Sequence, residues 1–157
     1  MRLRPINVPR WFSSSPASER RRVPAHHASG LGVSRMTDPK PRRRVLIVED
    51  EAPLRMQYER ALQGRYDLVF AATGAEAMAK LEEHRPDLAV LDMRLPDIDG
   101  ATLLRKIRVS RPQLPVIITT AYMSIEPQLQ LLDVPYSDYI VKPFRLDELG
   151  ARIDAAL

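Results

Sequence analysis

Cysteine is absent from this 157-residue chain, which excludes disulfide scaffolds, zinc–thiolate centres and cysteine nucleophiles together. Long apolar runs are missing too. None nears the roughly 20 residues that a membrane-spanning helix requires, so no bilayer crossing is expected. Histidine is sparse: His26 and His27 sit in the N-terminal segment, His84 follows an exposed helical stretch, and none has a partner at ligand spacing. Metal binding through imidazole is therefore not expected. Internal repeats are also lacking. What remains is an ordinary globular composition, 45% hydrophobic and 28% charged, in a length that suits one domain with a tail.

The net charge of +4 joins two unlike parts. Residues 1–44 carry 11 Lys+Arg against 2 Asp+Glu, whereas residues 45–157 carry 13 against 18. The first part is rich in Pro, Ser and Arg, with the runs Arg20-Arg21-Arg22 and Arg42-Arg43-Arg44, and shows no helical or strand period. Too little apolar surface is present there to offset chain ordering, so a disordered basic tail is expected. Its role stays open between an inert or misassigned start (Met36 being the alternative first residue), a basic arm for nucleic acid or anionic lipid, and a targeting segment. The periodic remainder is acidic, which argues against nucleic acid as its main partner.

From Val45 onward the pattern changes. Val45–Val48, Leu88–Leu91, Val116–Ile118 and Tyr139–Val141 are short, continuous apolar runs rich in β-branched residues. Such runs suit strands buried on both faces, as in a parallel sheet covered by helices. Tyr66 to Ala71 reads as a further strand, less apolar and so nearer an edge. Between the runs lie helical segments. Leu54, Tyr58 and Leu62 recur every four residues before Gly64, a candidate C-terminal cap. Gly74 to His84 follows Thr73, a candidate N-cap. Ala101 to Arg111 segregates Leu103, Leu104 and Ile107 from its basic residues, and Leu146, Leu149, Ile153 and Leu157 form a last stripe. This alternation predicts a doubly wound α/β domain.

In such sheets ligands bind beyond the carboxyl ends of the strands. Strand 1 runs into Glu49-Asp50-Glu51, strand 3 ends in Asp92, strand 4 in Thr119-Thr120-Ala121, and strand 5 runs into Lys142-Pro143-Phe144. With strand order 2-1-3-4-5 the acids of strands 1 and 3 converge. Clustered carboxylates repel unless a cation sits among them, and oxygen-only donors favour a hard ion, with Mg²⁺ the best fit. Lys142 would add positive charge, and the Thr120 hydroxyl with the Ala121 N–H would add hydrogen-bond donors. Together these parts make a phosphoryl-transfer site with Asp92 as nucleophile. Asp97 and Asp99 read as solvated, Pro96 and Gly100 as shaping the loop and the next helix, and Met93 as a packing residue.

The stretches VLIVEDE at 45–51, LAVLDMRLPDIDG at 88–100, PVIITTAY at 115–122 and DYIVKPF at 138–144 resemble the receiver domain of bacterial two-component response regulators. The resemblance covers essentially all of residues 45–157. It implies a flavodoxin-like, five-stranded parallel sheet, phosphorylation of Asp92 by a sensor histidine kinase or phosphotransfer protein, and cytoplasmic signalling to a downstream protein target. It also implies Mg²⁺ ligation by Asp50, Asp92, the Arg94 backbone carbonyl and Glu49, the last directly or through water. Thr120, Ala121 and Lys142 would contact the phosphoryl group, and Tyr139 would turn inward as Thr120 shifts.

One stretch departs from the pattern: Pro135-Tyr136 stands where the family commonly has Gly-Ala, and Pro127 sits early in the fourth helix. That helix is expected to be short, from about Ile125 to Asp133, with Ser124 as its cap. The chain ends one helix after strand 5, so a stand-alone receiver is expected. Two rival readings fit the residues less well. A receiver-like interaction module that works without phosphorylation is disfavoured by the intact Glu49, Asp50, Asp92, Thr120 and Lys142. An aspartate-nucleophile phosphatase is disfavoured by Arg94, which stands where such enzymes place a second Asp.

Overall fold

The computed structural model describes residues 41–121 and 134–157. Most of the expected tail, and the expected helix from Ile125 to Asp133 with Ser124 and Pro127, lie outside the described residues. The described elements are β1 (Arg44–Val48), α1 (Ala52–Leu62), β2 (Asp67–Ala71), α2 (Gly74–His84), β3 (Leu88–Asp92), α3 (Gly100–Ser110), β4 (Val116–Thr120), β5 (Asp138–Val141) and α4 (Leu146–Ala156). All strand pairs are parallel, in the order β2-β1-β3-β4-β5.

The continuous apolar runs are explained by two-sided burial. Leu46, Val48, Ala89, Leu91, Val116 and Ile118 pack on one face with Leu81 of α2 and Leu103, Leu104 and Ile107 of α3. Val45, Ile47, Leu88, Val90 and Ile117 pack on the other with Tyr58 and Leu62 of α1 and Leu149 and Ile153 of α4. Successive strand residues thus enter opposite cores, as the two-residue period of a strand requires. Only part of the last stripe is buried: Gly150 lies beside Leu149 and Ile153, whereas Leu157 is exposed. Met93 packs against the first core, as its reading as a packing residue anticipated.

Helix starts follow local chemistry. Thr73 Oγ1 accepts the Glu76 N–H at 3.1 Å and caps α2, and Asp99 Oδ1 accepts the Thr102 N–H at 2.9 Å and caps α3. Asp97 and Asp99, read as solvated, are exposed yet both hold backbone, Asp97 through the N–H groups of Gly74 and Ala75. Gly64 does not act as a left-handed cap. No glycine among the described residues has positive φ; Gln63 ends α1 in the right-handed region, and the Leu62 carbonyl accepts the Arg65 and Tyr66 N–H groups. The turn closes without the conformation that favours glycine.

The Arg42-Arg43-Arg44 run, read with the tail, meets the sheet. Arg44 opens β1 and lies 2.6 Å from Asp67, Arg43 lies 3.1 Å from Asp87, and Arg42 donates to the Gln63 carbonyl. These exposed pairs contribute little energy individually. Gly100 is more consequential, because a methyl group there would come within 2.6 Å of Met93 Cα and 2.8 Å of the Asp92 carbonyl oxygen. Gly100→Ala is expected to destabilise the domain by about 2 kcal/mol through overpacking against backbone. An unchanged urea midpoint would contradict this.

Candidate functional site

The parallel register aligns the carboxyl ends of the central strands. Val48 pairs with Leu91, Asp92 with Thr119, and Thr120 with Val141. Glu49, Asp50, Asp92, Ala121 and Lys142 therefore emerge at one edge of the sheet. One oxygen each from Glu49, Asp50 and Asp92 lies within 4.8 Å of the others. Glu49 is 1% exposed and Asp92 6%, whereas Asp50 is exposed.

Lys142 reaches into this group, its Nζ 2.7 Å from Glu49 Oε2 and 2.6 Å from Asp92 Oδ2. The remaining Asp92 oxygen, Oδ1, accepts the Arg94 N–H at 3.0 Å. Burial raises the Glu49 carboxyl above its ordinary range and the Asp92 charge adds to this; the Lys142 ammonium and the Glu51 N–H pull the other way. Burial alone would lower the Lys142 ammonium, but its hydrogen bonds to Asp92 and Glu49, and their charges, outweigh it and leave a net rise. Three carboxylates against one ammonium give the crevice a formal excess of negative charge. With oxygen donors alone, Glu49, Asp50 and Asp92 could hold a hard divalent cation.

Thr120 is buried at the end of β4, and its carbonyl accepts the Lys142 N–H at 2.6 Å. Ala121, exposed, follows it. Tyr139 pairs with Ile118, two residues before Thr120, and packs half-buried against the α2–α3 core. Arg94 is exposed beside Asp92. The structure thus groups the acids, Lys142, the Arg94 backbone and the end of β4, with Tyr139 farther back along β5.

Arg55, Tyr58 and Phe144 were not among the expected site residues. Arg55 Nη1 donates to the carbonyls of Glu49 at 2.8 Å and Asp50 at 2.7 Å, which ties the acidic turn to α1. Tyr58, legible only as a core position, aims its hydroxyl at Glu49 Oε2 from 3.4 Å and lies parallel to Phe144, with centroids 6.2 Å apart. A buried tyrosine hydroxyl needs a partner, and that was the available signal. These two rings, with Leu54, Gln57, Ala121 and Lys142, line a groove of about 350 Å³ beside the acids.

Residues 45–154 match the response regulator receiver domain family. The chain belongs to that family. It is 42% identical over 115 residues to the virulence transcriptional regulatory protein PhoP of Salmonella typhimurium, covering 73% of this chain and 51% of that protein. PhoP of Shigella flexneri is 39% identical over 115 residues, covering 73% and 52%. The chain thus spans about half the length of the curated relatives it matches. Among solved structures, a CheY-like receiver domain protein from Methanospirillum hungatei superposes with a TM-score of 0.67 at 33% identity, covering 73% of this chain and 92% of that one. The response regulator TrrA from Thermotoga maritima, solved in complex with Mg²⁺ and BeF, superposes at 0.66 with 31% identity, covering 73% and 99%. This receiver domain of a two-component system therefore has a CheY-like fold, with the doubly wound 2-1-3-4-5 sheet that was expected, and no helix among the described residues is long and apolar enough to cross a membrane.

Proposed function

We propose that this receiver takes a phosphoryl group onto Asp92 from a phosphohistidine, carried by a sensor histidine kinase or a phosphotransfer protein. An Asp92 carboxylate oxygen attacks phosphorus, the phosphorus–nitrogen bond breaks, and the departing imidazole keeps the electron pair and takes up a proton. The product is an acyl phosphate. The supporting observation is the Lys142 ammonium, hydrogen-bonded to Asp92 and to Glu49 where the strands end. A fixed cation at that point favours the charge that a phosphoryl group brings.

Asp50, Asp92, the Arg94 carbonyl and Glu49, directly or through water, would hold Mg²⁺. Bound there, the ion would neutralise phosphoryl oxygens and offset the repulsion between the incoming anion and the carboxylates. Lys142 would pair with phosphoryl oxygens, and the Thr120 hydroxyl and Ala121 N–H would donate to them. Contacts made only in the phosphorylated form bias a two-state surface. Tyr139, on the same strand face as its partner's neighbour Thr120, is the residue through which β5 would respond. A cytoplasmic protein target would read that surface, which agrees with the acidic balance of residues 45–157.

With Mg²⁺ and acetyl phosphate, the chain is expected to gain about 80 Da, one phosphoryl group, and EDTA should prevent the gain. Unchanged mass with both acetyl phosphate and a phosphorylated kinase would favour an interaction module that works without phosphorylation.

A further inference from the structure

The loop of residues 93–99 joins Asp92 to α3 and carries Arg94. Two of its restraints lie within or at the base of the loop: the Gly100 N–H donates to the Met93 carbonyl at 2.9 Å, and Arg94 bridges to Asp99. They close the loop on itself, while the Met93 N–H donates to the Thr119 carbonyl of β4 at 3.1 Å and Leu95 and Ile98 pack against the α2–α3 core. Asp97 adds directional hydrogen bonds from the loop tip to α2. Its Oδ1 accepts the Gly74 N–H at 2.8 Å and its Oδ2 the Ala75 N–H at 3.0 Å. Both donors belong to the first turn of α2, whose helix bonds cannot use them. Thr73 takes the next one, from Glu76. The α2 start is thus capped partly from within and partly by a carboxylate 23 residues later in the chain.

Packing reinforces the pin. Ile98 lies so close over Gly74 that a methyl group at residue 74 would collide with Ile98 Cγ2. Only a glycine lets the loop sit this near the helix start. The loop is therefore fixed to α2 by two charge-assisted hydrogen bonds and one close backbone approach.

We propose that Asp97 is a positioning residue for the phosphoryl-transfer site: by pinning the 93–99 loop to α2, it fixes the Arg94 backbone. That backbone donates its N–H to Asp92 Oδ1, and on the function proposed above its carbonyl would be one of the Mg²⁺ donors. The inference rests on the function proposed above. Asp97 touches neither the ion nor the phosphoryl group, so its removal loosens ion binding rather than the chemistry.

Mg²⁺ titration calorimetry and acetyl phosphate labelling on the full chain test this. Asp97→Ala removes both acceptors and is expected to weaken Mg²⁺ binding about tenfold, as loss of an outer support does at other metal sites. Labelling at saturating Mg²⁺ should stay near the wild-type rate. Gly74→Ala leaves Asp97 in place but pushes Ile98 away, and should weaken Mg²⁺ binding in the same direction. Asp97→Asn, which keeps one acceptor, should fall between Asp97→Ala and wild type and serves if Asp97→Ala does not fold. Thr73→Ala is the decisive comparison, because it removes a cap from the same helix without touching the loop and should leave Mg²⁺ affinity unchanged. Equal loss in Thr73→Ala would overturn the proposal, since helix stability alone would then account for the effect. Wild-type affinity in Asp97→Ala and Gly74→Ala would also overturn it while leaving the proposed function standing. A wild type that neither binds Mg²⁺ nor takes label would defeat both.

Discussion

Asp92→Asn is expected to abolish phosphoryl uptake, the largest functional effect of any single change in this chain. The amide nitrogen is not nucleophilic, and the carboxamide lacks the charge that draws both a divalent cation and Lys142. Its carbonyl oxygen can still accept the Arg94 N–H in place of Asp92 Oδ1, so the loop geometry survives and the loss reports chemistry rather than misfolding. The check is intact mass after incubation with Mg²⁺ and acetyl phosphate. The gain of about 80 Da seen in the wild type should be missing. Asp67→Asn, which alters an exposed residue on the edge strand β2, should keep it. Full labelling of Asp92→Asn would move the phosphoacceptor elsewhere and dismantle the proposed site.

Lys142→Met carries the largest expected effect on stability. Glu49 and Asp92 are both buried, and Lys142 is hydrogen-bonded to each. Removing one partner of a buried ion pair leaves charge uncompensated, typically at a cost of about 3–5 kcal/mol. Asp50 at the crevice mouth is exposed and Lys142 is not fully buried, which brings the expectation here to about 2–3 kcal/mol near neutral pH. The pH dependence has a definite sign. Glu49 already has a raised carboxyl through burial, and without Lys142 it rises further. A raised acid favours folding most when protonated and loses that contribution as pH climbs through its folded value. The deficit of the variant should therefore be small in acid and grow toward neutrality. At the alkaline end the deficit shrinks again. The Lys142 ammonium is raised above its ordinary 10.5, so its contribution is complete below that value and is lost as pH rises through the higher folded one. Wild type should lose that increment there and Lys142→Met should not. Urea midpoints at about pH 5, 7 and 11 would show the pattern. A constant difference across the three would contradict it.

The parts of the fold that local chemistry controls are legible in the sequence alone. Val45–Val48 and Leu88–Leu91 could be read as doubly buried strands because they are continuous apolar runs too short for a helix and run into charged residues, and Thr73 could be read as a cap because its hydroxyl serves a donor three residues away. The acids of the site were legible for a related reason. Charged residues directly after buried strands must emerge at one edge once the strands are parallel. Arg55 and Tyr58 were not, since a helical arginine looks solvated and a core tyrosine gives no hint of where its hydroxyl points. Asp97 was hidden by distance in sequence, because its partners Gly74 and Ala75 are brought near only by the tertiary fold. Gly64 misled for the opposite reason: a glycine after a helix permits a left-handed turn but does not compel one.

The hold of Lys142 on Glu49 and Asp92 also separates assembly from loading. Zinc fingers stay unfolded until their metal arrives, because nothing else compensates their ligands. Here an amine from the chain itself already balances part of the cluster, so maturation of the polypeptide does not wait on a dissolved ion. Withdrawing divalent ions should leave an intact but silent domain, ready to respond again when they return.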